Sequence, residues 1–330
     1  MNLGGQRILI TGGAGFIGSH LAERLAPDNF LRVVDDFSTG STDNLDNLAA
    51  RRGVEIIKAD LCDPRVAHDA CDGIDVVFHL AVSCLRTSLS RPHFSHDVNA
   101  GGTLNLCEAA HRFRIRRFIY ISSSEVYGTA QRVPMNEDHP WEPLTVYGAS
   151  KLAGELYAKA FFRTHGLPVV IVRPFNTYGP REPWEGRRAE VIPRFILRAL
   201  AGQSPVIFGN GNQTRDFTYI DDTVSGIVLA AECDAMVGQA VNVAAGRECS
   251  IRAVAEAIAE KLELRRPVRC VDARPGDVTR HFADISKARR LFGFEPTVDL
   301  ETGLDRCIER LRGFGVHDSA LIEAAGAANW

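Results

Sequence analysis

The sequence predicts an α/β protein built on a doubly wound parallel sheet, followed by a smaller C-terminal lobe of mixed α/β structure. Two observations predict this fold class. Short apolar runs of strand length alternate with longer helical patterns through the first half of the chain, and the alternation stops after Arg173. Nearly continuous apolar runs are typical of parallel strands that helices cover on both faces. Repeated strand–helix units with right-handed crossovers then produce the doubly wound sheet.

The predicted elements follow one another at the spacing that such a fold requires. Strands are predicted at residues 7–11, 31–34, 54–58, 76–80, 118–122 and 169–173. Helical patterns lie between them at residues 17–25, 102–113 and 150–165. The segment 174–188 is rich in Pro, Gly, Arg and aromatic residues and is predicted to be a structured loop. Beyond it, helices and strands are predicted at residues 193–201, 206–208, 223–231, 241–243 and 251–262.

A chain of 330 residues exceeds one ordinary hydrophobic core and predicts two packed units. We expect a first, dinucleotide-binding domain over residues 1–175 and a second lobe over residues 176–330. Part of the stretch 217–245 is expected to pack back against the first domain.

The composition, with 45% hydrophobic and 24% charged residues, is that of a globular protein. A net charge of −3 gives no reason to expect a nucleic-acid or membrane partner. The sequence shows no secretory signal pattern and no apolar run of membrane-spanning length, so we expect a cytoplasmic protein. Its eight cysteines form no C-x-x-C pair, which favours free thiols and predicts no metal site.

A glycine-rich turn joins the first predicted strand to the first helix. Gly12, Gly15 and Gly18 have the spacing G-x-x-G-x-x-G. Glycines at such positions permit a tight turn and a close approach of backbone N–H groups to a pyrophosphate, which the helix N-terminus also favours. The position directly after a strand predicts a dinucleotide site.

The second predicted strand ends at Asp35, at about the distance where an acid accepts hydrogen bonds from the adenine ribose. A carboxylate there repels a 2′-phosphate, so NAD is predicted rather than NADP. Asp60, after the third strand, is a candidate for facing the adenine. Neighbouring positions complete the predicted cofactor site: Phe16, Ile17, Asp36, Ser38, Leu61, Leu80, Ala81, Val82 and Asn99.

Tyr147 and Lys151 form a Tyr-x-x-x-Lys pattern at the start of a helical segment. Residues four apart share one helical face, so a phenol and an ammonium can point into the same site. A nearby cation lowers the pKa of a tyrosine and makes it usable as a base, and both residues are expected to contact the cofactor. The run of residues 122–128, Ser-Ser-Ser-Glu-Val-Tyr-Gly, follows the fifth predicted strand, where a serine hydroxyl can hydrogen-bond a substrate oxygen.

These motifs together resemble the extended short-chain dehydrogenase/reductase family. The resemblance also rests on His79-Leu80-Ala81 and on residues 173–180, Arg-Pro-Phe-Asn-Thr-Tyr-Gly-Pro, and it runs from about residue 6 to residue 310. Within the family, the chain is similar to the nucleotide-sugar epimerases and dehydratases. The resemblance implies a Rossmann-like fold, a nucleotide-sugar substrate, and a homodimer formed through helices near residues 100–113 and 150–165.

The resemblance also implies a role for each matching residue. Tyr147 takes the proton from the sugar 4-hydroxyl while the C4 hydride passes to NAD, Lys151 holds the nicotinamide ribose, and Ser123 hydrogen-bonds the sugar O4. Contacts to the nucleotide diphosphate are implied for Asn176, Arg215 and Arg274, with Asp277 near the nucleotide. Two arginines converging on a diphosphate suit the fork geometry of the guanidinium group.

The outcome after C4 oxidation is predicted from Ser124 and Glu125. A 4,6-dehydratase needs a carboxylate base near the sugar C5, and the resemblance places Glu directly before Val-Tyr-Gly in dehydratases and uronate decarboxylases. We therefore expect a 4,6-dehydratase. Ser124 stands where glucose-type dehydratases carry an aspartic acid, and this keeps a 4-epimerase as the alternative.

Two further readings stay open at the level of sequence. Decarboxylation ranks third, because it requires a cation for a substrate carboxylate, for which Arg86 is a candidate together with Arg181, Arg187 and Arg188. The other is a protein of a different class, which binds NAD as a sensor without turnover.

Overall fold

The computed structural model describes residues 1–273 and 277–313, with the side chain of Arg187 excepted. Its strands, in chain order, are β1 (Arg7–Thr11), β2 (Phe30–Asp35), β3 (Val54–Lys58), β4 (Val76–His79), β5 (Arg117–Ile121), β6 (Val169–Pro174), β7 (Thr177–Tyr178), β8 (Val206–Phe208), β9 (Thr214–Arg215), β10 (Thr218–Tyr219), β11 (Ala240–Val243), β12 (Cys249–Ser250) and β13 (Arg269–Val271). Its α-helices are α1 (Phe16–Leu25), α2 (Asp46–Ala49), α3 (Pro64–Cys71), α4 (Leu85–Ser90), α5 (Pro92–His96), α6 (Gly102–Arg112), α7 (Val146–His165), α8 (Val191–Leu200), α9 (Ile220–Glu232), α10 (Ile251–Lys261), α11 (Ser286–Phe292) and α12 (Leu300–Arg312).

Seven of these strands form one parallel sheet, in the order β3-β2-β1-β4-β5-β6-β11. The chain first builds outward from β1 to β3 and then returns to the other side of β1 with β4. Side chains on both faces are buried: Ile8 and Ile10 belong to one apolar core, whereas Leu9 between them belongs to the other. The predicted Rossmann-like, doubly wound α/β fold is therefore confirmed, and the order reverses at β1 and β4, where such sheets bind ligands.

Helix α7 begins four residues earlier than the sequence pattern predicts, at Val146. The reason is the cap: the Thr145 hydroxyl oxygen accepts a hydrogen bond from the Gly148 N–H at 3.2 Å. The helix ends at Gly166, which adopts the left-handed conformation with φ +71°. The earlier start places Tyr147 in the first turn of the helix and Lys151 one turn further on.

The segment 174–188, predicted to be a loop, contains the short strand β7, which pairs in parallel with β10. Strands of two residues carry no periodic signal, so a sequence pattern cannot reveal them. Strand β11 lies within the stretch 217–245 and pairs with β6 at the edge of the central sheet, while α9 packs against α1. The division into two domains at residue 175 stays a prediction.

In the part of the chain that the structure describes, no helix has both the length and the apolar character needed to cross a membrane. The same residues contain no cluster of three or more His, Cys, Asp or Glu side chains placed to hold a metal ion.

Candidate active site

A cavity of about 1020 Å³ opens outside the carboxyl ends of the central strands. This is the position at which open α/β sheets bind their ligands. The structure brings the following predicted residues to its wall: Gly12, Gly15, Phe16, Ile17, Gly18, Asp35, Asp36, Ser38, Asp60, Leu61, Leu80, Ala81, Val82, Arg86, Ser123, Ser124, Glu125, Tyr147, Lys151, Asn176, Arg215 and Asp277. Arg274 lies outside the described residues.

The glycine turn between β1 and α1 fits a dinucleotide because its backbone packs closely in places where a side chain would collide with neighbouring backbone atoms. Gly12 has φ +70°, and a Cβ on it would lie 2.6 Å from the Ala81 backbone nitrogen. A Cβ on Gly18 would lie 2.2 Å from the Gly12 carbonyl oxygen. Helix α1 starts directly after Gly15, so its N-terminus faces the cavity with the partial positive charge that suits a pyrophosphate.

Asp35, at the end of β2, is held by the turn that it faces. One carboxylate oxygen accepts a hydrogen bond from the Ala14 N–H at 2.9 Å, and the other accepts one from the Phe37 N–H at 2.8 Å. Burial raises the pKa of Asp35, and the two backbone hydrogen bonds act in the opposite direction. Each oxygen keeps lone-pair capacity for a ribose hydroxyl, so the position fits the role predicted for it.

Behind the cofactor part of the cavity, His79 joins the ends of β1 and β4 to α6. Its two ring nitrogens lie 2.7 Å from the Thr11 hydroxyl oxygen and 2.8 Å from the Thr103 hydroxyl oxygen. Burial lowers the pKa of His79 to about 3, and the charge of Lys151 acts in the same direction. The ring is therefore neutral. It holds the carboxyl ends of β1 and β4 in place rather than carrying a proton to a ligand.

Asn99 corrects one sequence prediction, because it does not line the cavity. Its side chain is 1% exposed; the amide oxygen accepts from the Ser83 N–H at 2.7 Å, and the amide nitrogen donates to the Ser150 hydroxyl at 2.9 Å. Asn99 thus connects the loop after β4 to helix α7, and it supports the cavity wall from behind.

Tyr147 and Ser123 both line the cavity, where the Ser123 side chain lies near Tyr147. Burial raises the pKa of Tyr147, and the neighbouring Ser123 side chain acts in the opposite direction. The expectation that Lys151 lowers the pKa of Tyr147 is not met in this structure. The Lys151 ammonium donates instead to the Ile121 carbonyl at 2.5 Å, and burial lowers its own pKa to about 7.

The contact between Tyr147 and Ser123 follows from close backbone packing. Gly148, the next residue on α7, lies against the turn after β5, and a Cβ on it would be 2.6 Å from the Glu125 carbonyl oxygen. Ser123 caps that turn, because its hydroxyl oxygen accepts from the Glu125 N–H at 3.2 Å. The first turn of α7 and the serine-bearing turn are therefore held in direct contact.

Glu125 and Ser124 both line the cavity next to this pair. Burial raises the pKa of Glu125, and the nearby Arg215 guanidinium acts in the opposite direction. Glu125 consequently holds a proton more readily than a solvated glutamate. This property suits a group that exchanges a proton with a ligand.

On the side of the cavity formed by the C-terminal half, Arg215 is oriented by Asp277. The guanidinium donates to one Asp277 carboxylate oxygen at 2.6 Å and to the Val278 carbonyl at 2.7 Å. Asn176 lines the same region with φ +20°, and its buried amide oxygen has no hydrogen-bond partner among the residues that the structure describes. These groups give the cavity a cation and an unsatisfied amide for a polar ligand.

Arg86, the first candidate for binding a substrate carboxylate, is engaged by Glu190. Two nitrogens of the guanidinium contact the two carboxylate oxygens at 2.6 and 2.9 Å. Burial opposes the charge on Arg86, but Glu190 raises its pKa, so the pair is an ion pair across the cavity wall. Arg181 likewise pairs with Glu23 at 2.6 Å, and Arg188 donates to the Ser38 carbonyl at 3.1 Å.

A dinucleotide cradle beside a tyrosine and a lysine defines the class of the protein as a Rossmann-like, NAD-dependent enzyme. The chain belongs to the NAD dependent epimerase/dehydratase family, whose model it matches over residues 8–244. Its cofactor is NAD, and its chemistry is that of nucleotide sugars. Because the members of this group are enzymes, the reading as a non-catalytic NAD sensor is not supported.

Three proteins illustrate the range of this similarity. A UDP-glucose 4-epimerase from Mycolicibacterium smegmatis is 36% identical, covering 93% of this chain and 99% of that protein. A UDP-N-acetylglucosamine 4-epimerase from Methanobrevibacter ruminantium, solved with UDP-N-acetylmuramic acid, is 35% identical with a TM-score of 0.89, covering 94% of this chain and 99% of that chain. DesIV, a dTDP-glucose 4,6-dehydratase from Streptomyces venezuelae solved with NAD, is 30% identical with a TM-score of 0.89. The match covers 96% of this chain and 99% of that chain.

Proposed function

We propose that this protein is an NAD-dependent nucleotide-sugar 4-epimerase that acts on a UDP-sugar of the UDP-glucose type. The observation that carries the proposal is that Ser123, Tyr147 and Lys151 line one cavity together with the glycine turn, with Ser123 near Tyr147. Sequence patterns favoured dehydration through Glu125. The epimerase relatives, at 36% and 35% identity, support the alternative better than the dehydratase at 30% does.

The residues divide the work as follows. Tyr147 takes the proton from the sugar 4-hydroxyl, and Ser123 holds the same oxygen through its hydroxyl group. Lys151 contacts the nicotinamide ribose and supplies positive charge beneath the site. NAD, held by the glycine turn, Asp35 and Lys151, would supply a reversible hydride acceptor for C4. After the 4-keto sugar has rotated to present its other face to the cofactor, Tyr147 returns the proton to the sugar oxygen. No further acid or base is then required.

The diphosphate of the substrate is assigned to the C-terminal side of the cavity. Arg215, fixed by Asp277, provides the guanidinium fork that suits phosphate oxygens, and Asn176 provides amide groups beside it. Arg274, which lies outside the described residues, stays a predicted second diphosphate ligand. Anchoring through the diphosphate leaves the sugar free to present either face to the cofactor.

A 4,6-dehydratase is the second candidate, and Glu125 is the observation that favours it. Its side chain lines the cavity near Tyr147, and burial raises its pKa. Elimination also needs an acid for the leaving hydroxyl. The neighbouring position holds Ser124 rather than a second carboxylate, so Glu125 would have to serve both proton transfers.

A uronate decarboxylase is the less suitable candidate because Arg86 already binds Glu190 with both ends of its guanidinium group. A substrate carboxylate would have to displace that partner, and it would also lie close to the charge of Glu190.

A substrate panel tests the proposal. Purified protein with NAD is incubated with UDP-, dTDP-, GDP- and CDP-sugars, and the products are resolved by mass spectrometry and sugar analysis. Unchanged mass with a new sugar supports the epimerase, loss of one water supports the dehydratase, and loss of carbon dioxide supports the decarboxylase.

Tyr147→Phe should abolish turnover with NAD still bound. Tyr157→Phe, on the same helix, is the matched control and should stay active.

We also propose a homodimer formed through α6 and α7. Leu104 on α6 is 39% exposed, and Leu156 on α7 is 43% exposed. Large exposed leucines on two adjacent helices are typical of a surface that a second copy covers.

A further inference from the structure

A buried ion pair lies behind the wall of the cavity, one helical turn beyond Lys151. Glu155 on α7 is 0% exposed, and Arg173 near the end of β6 is 1% exposed. The Arg173 Nε donates to one Glu155 carboxylate oxygen at 3.0 Å, and an Nη donates to the other. Neither side chain lines the cavity, so the pair does not belong to the ligand-contacting surface.

Glu155 also contacts the turn that carries Ser123. The Ser122 hydroxyl donates to the Glu155 carboxylate at 3.0 Å, and Lys159 donates to the other oxygen at 2.7 Å. The Glu155 carboxylate therefore accepts hydrogen bonds from β6, from its own helix and from the residue directly before Ser123.

Arg173 extends the same network to the far side of the turn. The third nitrogen of its guanidinium group donates to the Tyr127 hydroxyl at 2.6 Å, and this hydroxyl donates to the Asn242 amide oxygen on β11 at 2.8 Å. Tyr127 and Asn242 are both 0% exposed. The turn from Ser122 to Tyr127 is thus bonded at both ends to one buried network.

We infer that Glu155 is a positioning residue: together with Arg173 it fixes the Ser122–Tyr127 turn against the helix that carries Tyr147 and Lys151. This inference rests on the proposed function, because it concerns the alignment of Ser123 with Tyr147. A buried ion pair adds little net stability compared with apolar side chains of the same volume. Its bonds to two elements that bear reacting groups give it a geometric role instead.

The same carboxylate acts on Lys151 through space. Lys151 lies one helical turn after Tyr147 and one before Glu155. It interacts with the neutral His79 on β4 and with the Tyr120 ring on β5, whose centre lies 4.5 Å from the ammonium nitrogen. Burial lowers the pKa of Lys151, and the Glu155 carboxylate opposes that shift. Removing the carboxylate should therefore lower the pKa of Lys151 further.

Glu155→Gln tests the inference, with Glu155→Asp as the variant that keeps the charge. Glu155→Gln should reduce kcat by roughly 10- to 100-fold with little change in KM, because the reacting groups are misaligned while binding persists. In ¹³C NMR of lysine-labelled, NAD-bound protein, the Lys151 titration should move to lower pH. Glu155→Asp should keep the wild-type titration and recover part of kcat.

Arg117→Gln is the matched control. Arg117 begins β5 at the opposite end of the sheet, is 4% exposed and pairs with Asp234. This variant removes a buried guanidinium without touching the network, so stability should fall while kcat and the Lys151 titration stay at wild-type values.

If Glu155→Gln does not fold, Ser122→Ala tests the inference in its place, because it removes one hydrogen bond to Glu155 and leaves the ion pair with Arg173 intact. A reduced kcat in Ser122→Ala at unchanged KM supports the inference, and a wild-type kcat overturns it. In folded Glu155→Gln, wild-type kcat and an unshifted Lys151 titration also overturn it. A wild-type protein that converts no nucleotide sugar contradicts the proposed function instead, and the titration still reports on Glu155.

Discussion

Ser123 and Tyr147, which are 24 residues apart in the chain, lie near each other in the cavity wall, where the turn after β5 meets the first turn of α7. The contact depends on Gly148, whose missing side chain lets the helix lie on the Glu125 carbonyl. It places a hydroxyl donor and a phenol at one point of the cavity wall. A single substrate oxygen can contact both, which is the arrangement that oxidation at one sugar carbon requires.

Gly12→Ala should abolish NAD binding. The new Cβ would lie 2.6 Å from the Ala81 nitrogen, so the turn must shift away from the position that receives the pyrophosphate. Gly5→Ala is the matched control, because Gly5 has a similar positive φ of +76° but nothing within 4 Å of the added atom. Both variants should lose about 1–2 kcal/mol to backbone strain. Fluorescence titration with NADH should separate them, and equal affinities would show that the close approach is irrelevant.

Asp35→Asn should weaken NAD binding by roughly 10- to 100-fold, because charge-assisted hydrogen bonds to the ribose become neutral ones. Discrimination against NADP should fall as the repulsion of a 2′-phosphate disappears. Calorimetric titration with both cofactors measures the two effects. Asp43→Asn, at an exposed position on the same cavity, serves as control and should leave both affinities unchanged. Unaltered discrimination in Asp35→Asn would remove this residue from the ribose site.

Lys151→Met should be more stable than the wild type near neutral pH, with a difference that shrinks as the pH rises. The pKa of Lys151 is about 7 in the folded protein, against an ordinary value of 10.5. Between these values the unfolded chain binds more protons than the folded one, so the wild type gains stability with rising pH. Below about pH 7 both states carry the charge, and the burial penalty stays constant.

Urea unfolding at about pH 6 and about pH 9 measures that difference. Lys58→Met, at an exposed position, should show no pH-dependent difference from the wild type. A stability difference for Lys151→Met that is the same at both pH values would contradict the burial of a charged Lys151.

If the proposed homodimer forms through α6 and α7, Leu156→Arg should convert it to a monomer, because the substitution places a charge at an exposed apolar position of α7. Light scattering after size-exclusion chromatography gives the molar mass. Leu144→Arg is the control, since Leu144 is exposed to a similar extent, 48% against 43% for Leu156, but lies outside α6 and α7. A wild-type protein that elutes as a monomer, or a dimer that survives Leu156→Arg, would reject this interface.

The sheet and the cofactor turn were predictable because their signals are local. The strand runs and the glycine spacing can be read within a few residues of sequence, and the order of the strands then brings Gly12 and Asp35 together. Short paired strands such as β7 and β10 carry too few residues to produce a pattern.

The electrostatic environment of the site was less predictable, since it depends on partners distant in the chain. Arg86 was a candidate for a substrate carboxylate, but Glu190, 104 residues away, occupies its guanidinium. Lys151 was expected to lower the pKa of Tyr147, yet burial governs both groups. Asn99 was assigned to the cofactor on its position alone, but its amide is hydrogen-bonded to Ser83 and Ser150.

The fate of the C4 hydrogen tests the central claim most directly. A UDP-glucose labelled with deuterium at C4 is converted by the NAD-bound protein, and the product is examined by NMR. An epimerase returns the label to C4 on the opposite face, so the product should be UDP-galactose deuterated at C4. Deuterium found at C6 of a product that has lost water would contradict the epimerase and support the 4,6-dehydratase.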